Sequence, residues 1–439
     1  MKRIKTIFSL VLIVAALSTP SAATTRLIVR DRLGLVHLKT GCLLLGCTVQ
    51  WGMGDPNNQV FLVTTNLLNI LPLKINLALS LGVVDIELDQ SMKIKEGTAS
   101  RVPSALYDKS PMLYYGSTVR HGYVNQPAAQ LIQLARTQST YGVTGSGIVA
   151  IIDTGVDPSH PALSPVLLNG YDFTRNTTGA NEKGDVTQST AAVLDGAEPA
   201  YVNQSTAAVL DQSTAAVLDG GNYSSFGHGT MVAGVVHLVA PTTKILPLKA
   251  FRADGSGYAS DVIRAIYFAQ KNGADVINMS FSFAASSNEL ANAVKSAESN
   301  GIILVASAGN DGKAVQVYPA SYPEVMGVAS TDNSDYRSSF SNYGSNLVWV
   351  AAPGEGVVTM YPYGTYAACW GTSFSAPMVA GTAALLVQVS QSVNESTGSS
   401  SLAHADWVSF ELNHGRLNTY TAVQAWRSDA ALRGVLGVK

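Results

Sequence analysis

Cysteine is nearly absent, three residues in a chain of 439. That is too few for a disulfide-built scaffold, so the fold has to rest on a hydrophobic core. The material for one is present: 46% of the residues are apolar, and the length leaves room for two or three domains. Charge is scarce as well, at 13% of residues with a formal net charge of -2, and there is no long block of either sign. Neither nucleic acid nor an anionic membrane surface is therefore expected as a partner. After the first turns of sequence, no long apolar stretch is free of glycine and polar interruptions, so no membrane span is expected in the body of the chain.

An apolar run from Ile7 to Leu17, broken only by Ser9, follows Lys2, Arg3 and Lys5 and precedes small residues from Ser18 to Ala23. Residues 1–23 read as a secretory signal cleaved near Ala22 or Ala23, with an uncleaved anchor as the alternative. A secreted, extracellular product is expected, with no membrane association after signal cleavage. Export would permit disulfides, and Cys42 and Cys47, flanking "LLLG", are placed to pair across a tight turn. Cys369 reads as a small buried hydrophobe.

From Thr25 to Gln90 short β-rich runs ("TRLIVRD", "LVHLKT", "TVQWGM", "NQVFLVTTN", "GVVDIELDQ") surround a possible helix near Leu67 to Leu81, which suggests a small α+β unit. A polar, proline-containing stretch follows, "SMKIKEGTASRVPSALYDKSP", and reads as an exposed linker. Beyond it, "QPAAQLIQLARTQS" has helical spacing with Pro127 just inside the start. Strands and helices then alternate. "GIVAIID", "KILPLKA", "DVINMSF", "GIILVAS" and "VMGVAS" are apolar on both faces, and "SDVIRAIYFAQKNG" and "NELANAVKSAESNG" are helical with a closing glycine. This is the pattern of a buried parallel sheet, whose chemistry gathers at the carboxyl ends of its strands. One segment departs from it: "QSTAAVLD" recurs at 188–195, 204–211 and 212–219. Three copies are too few for a solenoid. They read as a duplicated surface insertion, or alternatively as a segment able to pair as an edge strand.

The hydroxyls of "ACWGTSFSAP" raise the question of a nucleophile, because Thr372, Ser373 and Ser375 crowd the start of an apolar helix. Serine needs a base and an anion-stabilising pocket to react at neutral pH. At a helix start Ser373 can offer its own N–H and the positive end of the dipole to a developing oxyanion. An ordinary N-cap is the alternative for any of the three. His228, between two glycines at the start of another apolar helix, is the histidine best placed as a base; His237, at that helix's end, reads as a cap of the terminal carbonyls. Asp153 ends the strand "GIVAIID" before Thr154 and Gly155, as an ordinary turn carboxylate would, or as one aimed at a neighbour. The apolar-apolar-Asp-Thr-Gly pattern also occurs in aspartic proteases, but those need two such carboxylates in one site. Asn310, in the "AGN" turn of "ILVASAGNDG", offers an amide donor. The combination of Asp, His and Ser in that order, with an amide between the last two, carries more weight than any member alone.

With these residues in view, "AIIDTGVDPSHP", "GHGTMVAG", "ADGSG", "INMSF", "ASAGNDG", "YPASYPEVMGVAS" and "GTSFSAPMVAG", in that order over residues 147 to 381, resemble the subtilisin-like serine proteases, the subtilase family. The resemblance implies an α/β, subtilisin-like three-layer fold, with a central, mostly parallel sheet and helices on both faces, preceded by a small α+β prosegment. It implies a secreted serine endopeptidase acting on polypeptide substrates through an acyl-enzyme. Asp153 would orient the imidazole, His228 would be general base and then acid, Ser373 the nucleophile and Asn310 the oxyanion donor.

Substrate would pair as a strand with Gly255, Ser256 and Gly257 on one side and with Ser280, Phe281 and Ser282 on the other. The pocket for the side chain before the cleaved bond would be lined by Ser280, Ser282 and Ala306 to Gly309, with Ala320 near its base. Ser282 and Ala320 stand where family members often carry glycine, which implies a shallow pocket for small or medium apolar residues; Asp311 at the rim would also admit a basic one. No cofactor is expected, and no metal: the His228 helix runs directly through "GVVHLVAPTTK" with no calcium loop, and Ala162 follows His160 and Pro161 where a carboxylate would bind. The expected organisation is a signal peptide at 1–23, an inhibitor-like propeptide at 24–90, a linker at 91–121 containing or near the self-processing site, and a peptidase domain at 122–439 with the repeat-containing insertion at about 186–220. The chain's own propeptide would be its intramolecular inhibitor.

Overall fold

The computed structural model describes residues 24–436 apart from 68–69, 96, 100, 186–207, 210–223 and 391. The expected signal peptide and nearly all of the repeat insertion lie outside the described residues.

The N-terminal unit is a four-stranded antiparallel sheet in the order β2-β3-β1-β4, made of β1 (Thr25–Asp31), β2 (Thr48–Gly52), β3 (Val60–Thr65) and β4 (Val83–Leu88). Alternation assigns its two faces. Leu27, Val29, Phe61 and Val63 pack under the helices Leu35–Leu45 and Leu71–Ala78 with Leu38, Cys42, Leu73 and Leu77. Ile28, Val60 and Leu62, one residue out of phase, belong to the core of the larger domain. The first helix contradicts the strand expected at "LVHLKT". Gly34 and the left-handed Gly46 bound an eleven-residue helix in which only Leu38 and Cys42, four apart, are buried; a single apolar stripe needs no alternation, and the short quoted run hid it. Cys42 and Cys47 form a disulfide around Gly46.

β5 (Ser91–Lys93) follows, then a hairpin of β6 (Pro111–Tyr114) and β7 (Ser117–Arg120). The helix expected from Pro127 is two pieces, Pro127–Leu131 and Leu134–Tyr141, separated at Gln133, whose φ of 61° is left-handed. The large sheet consists of β8 (Ile148–Asp153), β9 (Tyr171–Asp172), β10 (Thr177–Thr178), β12 (Lys244–Lys249), β14 (Val276–Met279), β15 (Ile303–Ser307), β16 (Met326–Thr331) and β17 (Val350–Pro353), in the order β10-β9-β12-β8-β14-β15-β16-β17. Every pairing is parallel except β10 with β9. Val149 and Ile151 of β8 face one core and Ala150 and Ile152 the other, which is why the strand reads as continuously apolar.

Helices His228–Val239 and Thr372–Val389 cover the first face, and Ala259–Lys271 and Asn288–Ser299 the second. Among the described residues Thr372–Val389 alone is long and apolar enough to cross a membrane, but 89% of it is buried within the fold. It crosses the His228 helix at Gly381, where a Cβ would stand 2.7 Å from the Val239 side chain. β13 (Ser256–Tyr258) pairs antiparallel with β5, and β18 (Glu355–Tyr361) with β19 (Thr365–Trp370). Ala208 and Val209, within the second octapeptide copy, form β11 on the outer side of β19.

Candidate active site

Asp153 is the last residue of β8 and His228 the first of its helix; each is 1% exposed. His228 Nδ1 stands 2.7 Å from Asp153 Oδ1, close enough for the ring N–H to donate to the carboxylate. The same oxygen accepts from Thr154 N at 2.7 Å. Both glycines beside His228 are required by close packing. A Cβ on Gly227, whose φ is 87°, would lie 2.4 Å from the Tyr361 ring, and one on Gly229 would lie 2.0 Å from the carbonyl oxygen of Gly155. The "GHG" triplet thus seats the helix start directly on the Asp153 turn.

Two charged residues that sequence reasoning passed over brace this junction. Glu182, buried in the loop before the insertion, accepts from Gly227 N at 3.0 Å, from Thr154 Oγ1 at 3.2 Å and from Thr230 Oγ1. Burial pushes its carboxyl up to about 8. Lys249, fully buried at the end of β12, donates to Thr154 O at 2.7 Å, Phe251 O at 2.6 Å and Asp185 Oδ2 at 2.7 Å, so all three of its protons are used. Neither has a sequence signal beyond being a charge near a strand end. His237 is not the expected cap: it is buried, stacked on Tyr123 with Nδ1 3.1 Å from that hydroxyl, and desolvation pulls its imidazole down to about 3.

The three hydroxyls at the start of Thr372–Val389 separate by role. Ser375 Oγ donates to Pro353 O at 3.3 Å, away from the cleft. Thr372 gives both its N–H and its hydroxyl to Asn310 Oδ1, each at 2.9 Å, and its hydroxyl accepts from Gly309 N at 3.1 Å. This fixes the Asn310 amide with its NH₂ group turned outward. Ser373 Oγ makes one long bond, 3.4 Å to Ser280 O, while Ser280 Oγ donates to Ser373 O at 2.8 Å and accepts from Asn278 Nδ2 at 2.9 Å. Phe374, next to Ser373, has its ring 5.4 Å from the His228 ring. Four of the expected residues therefore share the carboxyl rim of one sheet: Asp153 at the end of β8, Asn310 after β15, and His228 and Ser373 at the starts of two crossing helices.

The residues expected to contact substrate lie in two groups. β13 carries Ser256 and Gly257, and Gly257 packs on Phe251, where a Cβ would come within 2.3 Å of the ring. Ser280 supports the Ser373 backbone, and Phe281 is buried between Phe251 and Phe283. Ser282 remains partly open, its hydroxyl 3.5 Å from where a Gly309 Cβ would lie. Ala308 and Ala320 are buried in one apolar cluster, and Asn342 Nδ2 holds Ala308 O at 3.0 Å.

The N-terminal unit sits at this cleft. Asp89 accepts from Ser260 N at 2.8 Å and pairs with Arg26, while Glu87 accepts from Asn288 N at 2.9 Å and from the Ser287 hydroxyl. Each carboxylate thus lies at the positive end of a helix on the outer face.

The Subtilase family model matches residues 145–422, which include all four rim residues. The chain belongs to the subtilase family. It is 36% identical to thermitase of Thermoactinomyces vulgaris over 285 residues, which is 64% of this chain and 90% of thermitase. It is 34% identical to a thermophilic serine proteinase of Bacillus sp. (strain AK1) over 304 residues, 65% of this chain and 63% of that protein. The crystal structure of fervidolysin from Fervidobacterium pennivorans, described as a keratinolytic enzyme related to subtilisin, superposes with a TM-score of 0.69 at 21% identity, covering 92% of this chain and 61% of fervidolysin. The subtilisin-like fold expected from the sequence is the fold found. The chain spans somewhat less than two thirds of the Bacillus proteinase and of fervidolysin.

Proposed function

We propose that this subtilase is a secreted serine endopeptidase made as a self-processing precursor. Ser373 Oγ attacks a peptide carbonyl while His228 takes its proton. The Asn310 amide and the Ser373 N–H hold the tetrahedral oxyanion, and His228 passes the proton to the leaving amine. Water, activated by the same imidazole, then hydrolyses the acyl-enzyme. Asp153 keeps the ring in the tautomer whose other nitrogen faces the cleft and stabilises the imidazolium.

The observation that carries this reading is the 2.7 Å contact of His228 with Asp153 on the rim that also presents Ser373 and Asn310. In the same proposal, residues 24–90 are the intramolecular inhibitor, held by Glu87 and Asp89 on two helix starts. Export rests on the basic and apolar start of the chain, residues 1–23. Expression of the whole precursor beside Ser373→Ala tests the reading. Two fragments and protein hydrolysis are expected from the first and an intact, inactive chain from the second; equal hydrolysis by both would refute it.

A further inference from the structure

The segment after β5 does not leave the cleft. Ser91, Met92 and Lys93 pair antiparallel with Tyr258, Gly257 and Ser256, and Ile94 N continues the ladder to Gly255 O at 3.0 Å. The next carbonyl, that of Lys95, accepts from Asn310 Nδ2 at 2.7 Å. Two residues later Gly97 N donates to Trp370 O at 3.1 Å, three positions before Ser373. The chain is thereby tied on both sides of one carbonyl, and that carbonyl occupies the amide assigned to the oxyanion. The Lys95 side chain forms an ion pair with Asp311, the residue after Asn310. Asp311 is in turn positioned by Asn342, which accepts from Asp311 N at 3.0 Å. Gly97 packs so closely that a Cβ would stand 2.9 Å from the Phe340 ring and 3.0 Å from the Gly371 backbone.

From this placement we infer that the first bond cut is Lys95–Glu96, and that Asp311 makes the enzyme selective for substrates with lysine before the cleaved bond. The inference rests on the peptidase reading above and replaces the apolar preference expected from Ser282 and Ala320. In the step, Ser373 Oγ bonds to the Lys95 carbonyl carbon and the C–N bond to Glu96 breaks. The Ser373 proton leaves on the Glu96 amine through His228. Water then returns a free Lys95 carboxylate and the Ser373 hydroxyl. An ion pair at a half-exposed rim selects by charge and by geometry, and it discriminates most strongly against a like charge.

Two measurements on the full-length chain test this. The first is N-terminal sequencing of the processed fragment of wild type, Lys95→Glu, Asp311→Lys and the double variant. Wild type is expected to begin at Glu96, each single variant to process at least tenfold more slowly at that bond, and the double variant to recover most of the rate. The second is kcat/KM of the matured wild type and Asp311→Asn on peptides differing only in Lys or Leu before the cut. The Lys-to-Leu ratio is expected to fall about two- to fivefold in the variant, the range an exposed ion pair supplies. Cleavage first at another bond, no rescue by the charge swap, or an unchanged ratio would overturn the inference while leaving Ser373-dependent hydrolysis intact. Absence of Ser373-dependent hydrolysis on every peptide would instead overturn the peptidase reading, and this inference with it.

Discussion

Glu182 accepts a hydrogen bond from the backbone N–H of Gly227 at 3.0 Å, so the residue that launches the His228 helix is held by a buried carboxyl group. The same group takes the hydroxyls of Thr154 and Thr230, one from the Asp153 turn and one from the His228 helix. It is a clasp between the two halves of the Asp153–His228 pair. Its carboxyl sits at about 8, against an ordinary 4.5, because burial penalises the anion. The native state therefore keeps a proton that the unfolded chain has lost, and stability falls as pH rises from about 4.5 to about 8 and is level above that. Glu182→Gln, which keeps an acceptor for Gly227 and cannot titrate, should flatten that decline. Melting temperatures between pH 5 and pH 9, taken in a Ser373→Ala background to prevent self-digestion, check this; parallel curves would exclude the clasp's titration.

The contact of Gly229 with Gly155 predicts a backbone effect on catalysis. A methyl group at position 229 would need to occupy space 2.0 Å from a carbonyl oxygen, so helix and turn must part. Gly229→Ala should lower stability by about 1–3 kcal/mol, as overpacking of a tight interior does. It should also lower kcat far more than it raises KM, because the His228 ring is displaced while the substrate strands are not. A variant with normal kcat would show that the junction tolerates separation.

Asn310 offers a graded test of the oxyanion assignment. Its Oδ1 is fixed by Thr372 and only its NH₂ faces the cleft, so Asn310→Ala removes one donor and leaves the nucleophile and base in place. Loss of one such donor costs about 10²–10³ in kcat, a magnitude established on subtilisin itself. Thr372→Val should give a smaller loss of the same kind, since the amide would keep its backbone anchor and lose its hydroxyl one. Steady-state kinetics of the two variants should rank in that order.

His237 predicts an acid-side dependence of opposite sign to that of Glu182. Buried against Tyr123, its imidazole is pulled down to about 3 from an ordinary 6.5. The unfolded chain binds a proton there that the native state refuses, so stability present at pH 7 is lost as pH falls from about 6.5 toward 3. Replacement by Gln should remove that portion of acid sensitivity. Urea unfolding midpoints at pH 4.5 and 7 in wild type and His237→Gln give the comparison; an unchanged difference would place the acid sensitivity elsewhere.

The sheet and its order of chemistry were legible because parallel strands buried on both faces write themselves as continuous apolar runs ending in turns. β8, β12, β14 and β15 fall within the runs read for them, and β16 exceeds its run by one residue, Thr331. Asp153, His228, Asn310 and Ser373 stood out because each lies in the first two residues of a helix, at the last residue of a strand or in the turn beside one. What escaped depends on contacts distant in sequence. Glu182 is 45 residues from Gly227, Lys95 is 216 residues from Asp311, and no local pattern couples them. The "LVHLKT" helix escaped for a local reason, since a short leucine-rich run suits either period until its bounding glycines are weighed.

The central claim is that Ser373, and no other hydroxyl, is the nucleophile activated by His228. Matured protein treated with a fluorophosphonate and mapped by peptide mass spectrometry tests it most directly. A single adduct on Ser373, lost in His228→Ala, is the predicted result. An adduct on Ser375 or Thr372, or full hydrolytic activity remaining in Ser373→Ala, would contradict it.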